Sequence, residues 1–247
     1  MTAKIAIVTG ASAGIGAAVA RLLAAAGYRV IAGARRLDRL RAVTEPIGAE
    51  ARQLDVTVPE SVEAFASGIG PCHLLVNNAG LALGTSPVSA PEPGDWRTMF
   101  ETNVMGVLAM TRRFLPDLIA SGDGHVINIG SIAGLATYPG GGGYTASKHA
   151  LRALTETLRQ ELLGQPVRIT DIAPGLVETE FSLVRFAGDA ERARAVYQGM
   201  TPLRAEDVAE CVVWAASRPP HVNIDRIQVM PRDQASATQV HRRREGS

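Results

Sequence analysis

The sequence predicts an α/β fold of the doubly wound type, in which a mainly parallel sheet is covered by helices on both faces. Short apolar runs alternate with longer segments of helical character. Strands buried on both faces and joined by helices indicate a parallel sheet with right-handed crossovers. Only 4% of the residues are aromatic, so Ala, Val, Leu and Ile must fill the core. The predicted strands are Ile5 to Val8, Val30 to Ala32, Leu74 to Val76, Val126 to Ile129, Val167 to Ile172 and Ile227 to Met230.

Size and composition predict one domain over residues 1–247. The chain is 46% hydrophobic and 20% charged, which is enough to bury a large core. Its formal net charge of +1 gives no general attraction to nucleic acid or to an anionic membrane. Cys72 and Cys211 are too few for a disulfide framework and lack the spacing of a metal site, so we expect buried, reduced thiols and no metal. Without a leader or an apolar run of roughly 18 to 20 residues, we expect a soluble cytoplasmic protein and no membrane partner.

The first strand leads into a glycine-rich turn and then a helix. The turn runs from Thr9 to Gly16, and the helix begins near Gly14 and ends at Gly27, which is a plausible left-handed cap. Glycines at such a turn let backbone amides approach a pyrophosphate at the helix N-terminus. We therefore predict a dinucleotide cradle formed by Gly10, Ser12, Gly14, Ile15 and Gly16. The alternative is a purely structural strand–helix turn.

The residues after the second strand favour NADP over NAD. NAD enzymes place an acidic residue about 20 positions after the glycine turn, but here Ala34 is followed by Arg35 and Arg36. Guanidinium groups match a phosphate bidentately, and the nearest local carboxylate is Asp38, one helical turn further on. The alternative is that these arginines only solvate the start of a helix. Asp55-Val56, after the third strand, is predicted to lie beside the adenine.

A tyrosine and a lysine four residues apart form a candidate catalytic pair. The chain has 23 arginines but only two lysines, and Lys148 stands four residues after Tyr144. On a helix these two side chains share one face. A compact ammonium can bond a ribose and lower the pKa of a neighbouring phenol by favouring the phenolate, which would suit acid–base catalysis.

Two segments near this pair are predicted to be mobile. Residues 139–143 read Pro-Gly-Gly-Gly-Gly, which predicts a loose hinge before Tyr144. The stretch of residues 176–202 lacks a clear pattern and precedes a predicted helix at residues 205–217, so we interpret it as a substrate lid. The polar tail at residues 231–247 contains three consecutive arginines. A solvated or subunit-packing terminus is favoured there, and anion binding is the alternative.

These motifs, taken in chain order, resemble the short-chain dehydrogenase/reductase family. They are Thr9-Gly-x-x-x-Gly-Ile-Gly16, Asn77-Asn-Ala-Gly80, Ser131, Tyr144-x-x-x-Lys148 and Pro174-Gly175, and together they span nearly the whole chain. The resemblance implies a Rossmann-type fold with a seven-stranded sheet, commonly assembled as a homotetramer. It also implies reversible hydride transfer between NADP and a CH–OH group.

The resemblance assigns roles to the matching residues. Ser131 would polarise the substrate carbonyl while Tyr144 exchanges its proton, and Lys148 would hold the nicotinamide ribose. Asn103 would support a water-linked proton path behind the lysine, although a helix-bending or capping amide is an equally reasonable interpretation. The remaining implied cofactor contacts are Asn78, Ala79, Gly80, Pro174, Gly175, Val177 and Thr179.

A narrower resemblance is to the NADP-dependent 3-hydroxy acid dehydrogenases. It rests on Leu81 to Gly84, Ile127 to Ser131, Thr179 to Phe186, Pro220 to Ile224, and Met230-Pro231. That subgroup acts on serine, allo-threonine and related acids. We expect Arg185 to bind the substrate carboxylate, because it stands among apolar residues of the predicted lid. A surface ion pair within the lid is an equally good interpretation of Arg185.

Two other functions remain open from the sequence. A broader carbonyl or 3-oxoacyl reductase would share every catalytic residue and differ only in the lid and the C-terminal segment. A nucleotide-sensing protein could use the same fold without turnover, but it would not need Ser131, Tyr144 and Lys148 together. Nucleic-acid binding would rest on the arginine tail alone.

Overall fold

The computed structural model describes residues 3–243 and contains the predicted doubly wound fold. Seven strands form one sheet in the order β3-β2-β1-β4-β5-β6-β7, and every neighbouring pair is parallel. The strands are β1 Ile5–Thr9, β2 Arg29–Ala34, β3 Glu50–Gln53, β4 Leu74–Asn77, β5 Gly124–Ile129, β6 Val167–Pro174 and β7 Arg226–Val229. Because the strand order reverses between β1 and β4, a crevice opens there at the carboxyl edge of the sheet.

Helices cover both faces of the sheet. They are α1 Gly14–Ala25, α2 Leu37–Thr44, α3 Pro59–Ala66, α4 Pro93–Phe100, α5 Gly106–Ala120, α6 Gly142–Glu161, α7 Phe181–Arg185, α8 Ala190–Ala195 and α9 Ala205–Ala216. Alternating residues of β1 supply two separate cores, with Ala6 and Val8 facing one side and Ile5 and Ile7 the other. The first core packs under α1 and α9, and the second under α3 and α5.

The edge strand β3 has no apolar run. It reads Glu-Ala-Arg-Gln and pairs only with β2, so its outward side chains are solvated rather than buried. The predicted end of α1 is confirmed, since Gly27 follows the last turn with φ of 88°. Within residues 3–243 no helix is long and apolar enough to cross a membrane. Cys72 is buried as expected, whereas Cys211 is partly exposed.

The segment predicted to be a patternless lid is more regular than expected. It contains α7 and α8, and the Asp189 side chain caps α8 by accepting from the amides of Glu191 and Arg192 at 3.1 and 3.0 Å. Tyr197 ties the segment together because its hydroxyl donates to the carbonyl of Val177 at 2.9 Å. We keep the name lid for residues 176–202.

The described part of the arginine tail packs against the end of the lid. Arg242 donates to the carbonyls of Gln198 and Val196, the second at 3.0 Å. Arg243 donates to the hydroxyl of Thr201 at 3.0 Å. These two arginines therefore make contacts within their own chain, while Arg244 lies outside the described residues.

The glycine run before Tyr144 serves close packing, in contrast to the predicted loose hinge. A Cβ atom added to Gly141 would collide with the Tyr138 ring, and one added to Gly142 or Gly143 would press on the Trp96 ring. The absence of side chains lets these rings approach the start of α6.

Candidate active site

A cavity of about 350 Å³ lies in the crevice at the carboxyl edge of the sheet. It extends from the glycine turn to the lid and brings together most of the residues that the sequence singles out. The predicted residues that line it are Gly10, Gly14, Ile15, Arg36, Asn78, Ala79, Gly80, Ser131, Tyr144, Lys148, Pro174, Gly175, Val177, Thr179 and Arg185. The predicted residues that do not line it are Ser12, Gly16, Arg35, Asp55, Val56 and Asn103.

The glycine turn has the geometry of an anion cradle. Gly10 and Gly14 have φ of 67° and 54°, a conformation that side-chain-bearing residues rarely adopt. Gly16 supports the turn from behind, because a Cβ atom there would collide with the Gly10 carbonyl. No side chain caps the first amides of α1. These free amides fit the pyrophosphate of a dinucleotide.

Asn78 has a structural task that the sequence did not reveal. Its side-chain amide donates to the carbonyls of Thr9 and Gly10 at 2.9 and 3.2 Å. The Thr9 hydroxyl in turn accepts from the backbone amides of Asn78 and Ala79 at 3.0 and 2.9 Å. Asn78 therefore fixes the glycine turn from within the cavity wall.

The two arginines after β2 differ in their surroundings. Both are exposed, but Arg36 lines the cavity and donates to the Ser12 hydroxyl at 3.3 and 3.4 Å, whereas Arg35 lies outside the lining. Asp38 is the nearest carboxylate along the chain, but a more distant one binds Arg36. Glu180 reaches across from the lid and pairs with Arg36 at 3.0 Å, a contact that a separation of 144 residues hides from sequence patterns.

The predicted adenine contacts lie outside the cavity lining. Asp55 accepts from the backbone amide and the hydroxyl of Thr57 at 3.0 and 2.7 Å, which shapes the turn after β3. Val56 is buried and packs where Gly106 lacks a side chain.

Ser131, Tyr144 and Lys148 line the inner end of the cavity. Ser131 follows β5 and accepts from the amide of Ala133 at 3.1 Å. Tyr144 and Lys148 lie one turn apart on α6, with the lysine Nζ 5.9 Å from the centre of the phenol ring. Lys148 Nζ donates to the carbonyl of Ile129 at 2.8 Å, which anchors α6 to the end of β5.

Burial controls the charge states of this corner. It raises the pKa of Tyr144, although hydrogen bonding with Ser131 and the charge of Arg185 both oppose the rise. Burial also lowers the pKa of Lys148 to about 8, against the charge of Asp171. The predicted lowering of the phenol pKa is therefore absent in this structure, because burial outweighs the hydrogen bond with Ser131 and the charge of Arg185.

Asn103 supports this corner without lining the cavity. It lies in a π-helical segment, Glu101–Met105, that joins α4 to α5. Its side chain accepts from the amide of Leu81 and donates to the carbonyl of the same residue, both at 2.8 Å, and it also donates to Ser147 Oγ at 3.0 Å. The helix-bending interpretation of Asn103 fits this geometry, and the amide links the loop after β4 to α6.

Arg185 lies at the opposite end of the same cavity from the glycine turn. Its guanidinium donates to the Gly84 carbonyl, the Tyr138 hydroxyl and the Gly140 carbonyl at 3.3, 3.2 and 3.4 Å. All three acceptors are neutral, and within residues 3–243 no carboxylate pairs with Arg185. The surface ion pair that the sequence left open is therefore not formed among these residues.

Three lining residues had no recognisable sequence signal. Phe181 places its ring edge-on to Tyr144 with centroids 5.5 Å apart. Gln234 accepts from the amide of Leu176 at 2.8 Å and closes the cavity behind Gly175. Tyr138 contributes its hydroxyl beside Arg185. Each becomes relevant only because the lid or the C-terminal segment folds back over the sheet.

A parallel doubly wound sheet with a glycine turn at its switch point and a Ser-Tyr-Lys corner defines a nucleotide-dependent oxidoreductase. The family model described as short chain dehydrogenase matches residues 4–188, and the chain belongs to that family.

Several proteins are similar to this chain over nearly their whole length. An oxidoreductase of Mycobacterium tuberculosis (strain ATCC 25618 / H37Rv) is 56% identical over 95% of this chain and 94% of its own. A sulfoacetaldehyde reductase of Chromohalobacter salexigens is 44% identical over 92% and 94%. An NADP-dependent 3-hydroxy acid dehydrogenase of Salmonella typhi is 44% identical over 96% and 99%.

Among solved structures, the closed form of a serine dehydrogenase complexed with NADP+ superimposes with a TM-score of 0.92 at 43% identity. It covers 97% of this chain and 100% of its own. These similarities confirm the resemblance and the seven-stranded fold that the sequence predicts.

Proposed function

We propose that this protein is an NADP-dependent oxidoreductase that reversibly oxidises a short 3-hydroxy acid such as serine, allo-threonine or 3-hydroxypropionate. The observation that carries the proposal is the presence of Arg185, without a carboxylate partner among the described residues, in the same cavity as Ser131, Tyr144 and Lys148. The cavity thus contains candidate acid–base groups together with a guanidinium that would bind a substrate carboxylate. One serine dehydrogenase and one 3-hydroxy acid dehydrogenase among the similar proteins support this substrate class.

The residues of the cavity fit NADP. The free amides at the start of α1 would hold the pyrophosphate, Arg36 would bind the 2′-phosphate, and Lys148 would bond the nicotinamide ribose. The further proposed contacts from Asn78 to Gly80 and from Pro174 to Thr179 line the same wall. When bound, this cofactor accepts or returns the hydride. Named NADP-dependent relatives support the choice over NAD.

The chain supplies the proton chemistry. In the oxidising direction the Tyr144 oxygen, as phenolate, would take the proton of the substrate hydroxyl. The hydride would leave from the carbon that bears this hydroxyl. In the reverse direction the Tyr144 phenol would return that proton to the carbonyl oxygen. Ser131 would hydrogen-bond the same oxygen, and the ammonium of Lys148 would favour the phenolate during turnover. Asn103 would position Lys148 through the Leu81 loop.

Arg185 would fix the substrate by its carboxylate. Charge-assisted hydrogen bonds of this kind contribute about 1.5–3 kcal/mol, which corresponds to roughly 10- to 150-fold in apparent affinity. Arg192 is a matched control, since it lies in the same lid but is exposed, outside the cavity lining, and stacked 4.5 Å over Phe186.

The test compares wild type, Arg185→Gln and Arg192→Gln with 3-hydroxypropionate and with an alcohol that lacks the carboxylate. We expect Arg185→Gln to raise KM for the acid at least tenfold and to leave the uncharged alcohol unaffected, while Arg192→Gln behaves like wild type. If Arg185→Gln retains the acid preference, the proposed carboxylate site is wrong. Wild-type activity on uncharged carbonyl compounds alone would favour the broader carbonyl or 3-oxoacyl reductase.

A sulfonate substrate is the second candidate. A guanidinium binds sulfonate and carboxylate alike, and one relative at 44% identity is named a sulfoacetaldehyde reductase. Reduction of sulfoacetaldehyde with a kcat/KM well above that for malonic semialdehyde would assign this class instead.

Measured turnover distinguishes an active enzyme from a nucleotide sensor that binds the cofactor without catalysis. Tyr144→Phe removes the proton-exchanging oxygen and should lower kcat by at least 100-fold while NADP+ still binds.

We further propose that the chain is a single-domain cytoplasmic protein and a homotetramer. Met105 and Leu108, both more than 40% exposed on neighbouring turns at the start of α5, support subunit packing. Light scattering of the purified protein tests the tetramer directly.

A further inference from the structure

Glu180 connects the start of the lid to the arginines after β2. Its carboxylate accepts from Arg36 Nη1 at 3.0 Å and from Arg39 Nη1 at 2.8 and 3.1 Å. These hydrogen bonds and charges, chiefly the bond from Arg36, hold the pKa of Glu180 below its usual range. The group is therefore an anion at neutral pH, held by two guanidinium groups.

The same guanidinium of Arg36 faces the proposed 2′-phosphate. Arg36 and Glu180 both line the cavity, and the remaining donors of Arg36 contact Ser12 of the glycine turn at 3.3 and 3.4 Å. A phosphate bound to the Arg36 guanidinium would share it with the Glu180 carboxylate, and the two anions would repel each other.

We propose that Glu180 competes with the cofactor's 2′-phosphate for Arg36, and that it thereby limits the discrimination between NADP and NAD. This inference rests on the proposed NADP specificity. The phosphate takes the Arg36 donor that Glu180 holds, while Arg39 retains the carboxylate through Oε1 at 2.8 Å, the oxygen that Arg36 does not contact. A cofactor without the 2′-phosphate leaves the Glu180–Arg36 contact intact.

The competition also reaches the substrate end of the cavity. Glu180 immediately precedes α7, whose first residue, Phe181, packs against Tyr144 and whose last residue is Arg185. Glu180 is therefore adjacent in the chain to the helix that carries the proposed carboxylate anchor.

The test measures binding to the cofactor-free protein by calorimetry, with NADP+, NAD+ and 2′,5′-ADP as the three probes. The variants are Glu180→Gln and, as a matched control, Glu178→Gln. Glu178 is an exposed acid two residues earlier that forms no ion pair within residues 3–243. Both variants remove one negative charge from the same segment, so the control reports the general electrostatic effect.

We expect Glu180→Gln to bind NADP+ and 2′,5′-ADP roughly two- to fivefold more tightly, the range typical of an exposed ion pair. NAD+ binding should stay within twofold of wild type, and Glu178→Gln should change the NADP+/NAD+ ratio little. The gain should shrink at high salt, because exposed charges are then screened.

Two results would overturn the inference in different ways. If Glu180→Gln weakens NADP+ binding or leaves it unchanged while wild type still prefers NADP+, Glu180 orients or merely accompanies the arginines, and only the competition is wrong. If wild type binds NAD+ as tightly as NADP+ and does not bind 2′,5′-ADP, the proposed cofactor specificity fails, and the competition fails with it.

Discussion

The buried ammonium of Lys148 should destabilise the cofactor-free protein, so that Lys148→Met raises the free energy of unfolding at neutral pH. Lys148 is 6% exposed. Burial lowers its pKa from 10.5 to about 8, which corresponds to roughly 3 kcal/mol of unfavourable free energy for the charged form. Methionine has a similar length and no charge. It forfeits the charge-assisted hydrogen bond to Ile129, which is about 2 kcal/mol, and the expected net gain is about 1 kcal/mol.

Thermal unfolding of the cofactor-free protein measures this gain. For a chain of this size, about 1 kcal/mol corresponds to an increase in Tm of roughly 2–4 °C. The other lysine provides the matched control, because Lys4 is about half exposed and pairs with Asp123. Lys4→Met should lower the free energy of unfolding by at most about 1 kcal/mol. Lys148→Met should also lose turnover, so stability and activity would change in opposite directions.

The pH dependence of the gain identifies its cause. Below pH 8 Lys148 is charged in both the folded and the unfolded state, and the penalty is at its full value. Between pH 8 and 10.5 the folded state loses its proton first, so the unfolded state binds more protons and wild-type stability rises relative to Lys148→Met. The difference between the two proteins should therefore shrink from pH 7 to pH 9.5. Equal Tm values at pH 7, or a difference that does not depend on pH, would refute the reasoning.

Three further substitutions test other parts of the structure. Gly33→Ala places a methyl group against two buried side chains and should lower the free energy of unfolding by about 1–3 kcal/mol, measured by denaturant titration. Asp171→Asn removes the charge that raises the Lys148 pKa, so the alkaline limb of the activity profile should move to lower pH; an unshifted limb would argue against this coupling. Arg36→Ala should weaken NADP+ binding at least tenfold in calorimetry, and Arg35→Ala much less, because only Arg36 lines the cavity.

The features predicted correctly from the sequence are those set by local pattern. The apolar runs predict six strands, of which β1, β4 and β5 are buried along their whole length. Gly27 marks the end of α1 because a left-handed residue there favours glycine. The edge strand β3 lacks this signal, since Glu50 and Arg52 point to solvent or pair with each other at its surface.

The features that the sequence does not predict depend on distant contacts. Asp38 is the nearest carboxylate to Arg36 along the chain, but Glu180 is the one that binds it, because α7 folds back over the sheet. The glycines before Tyr144 suggest a loose hinge when read alone, whereas Trp96 and Tyr138 pack closely against them. In both cases the identity of the neighbour, which local composition does not contain, determines the role.

Burial of the Ser-Tyr-Lys corner determines which of its protonation states are available. A charge four residues from Tyr144 predicts a lowered phenol pKa, but desolvation raises it, because the phenolate loses more hydration than the Ser131 hydrogen bond and the charge of Arg185 restore. The phenol form of Tyr144 is therefore the stable one at neutral pH, and it is the form that donates a proton to a substrate carbonyl in the proposed reduction. Oxidation needs the phenolate, so the same burial that favours proton donation makes proton removal depend on the charge of Lys148, whose own pKa of about 8 lies close to neutrality.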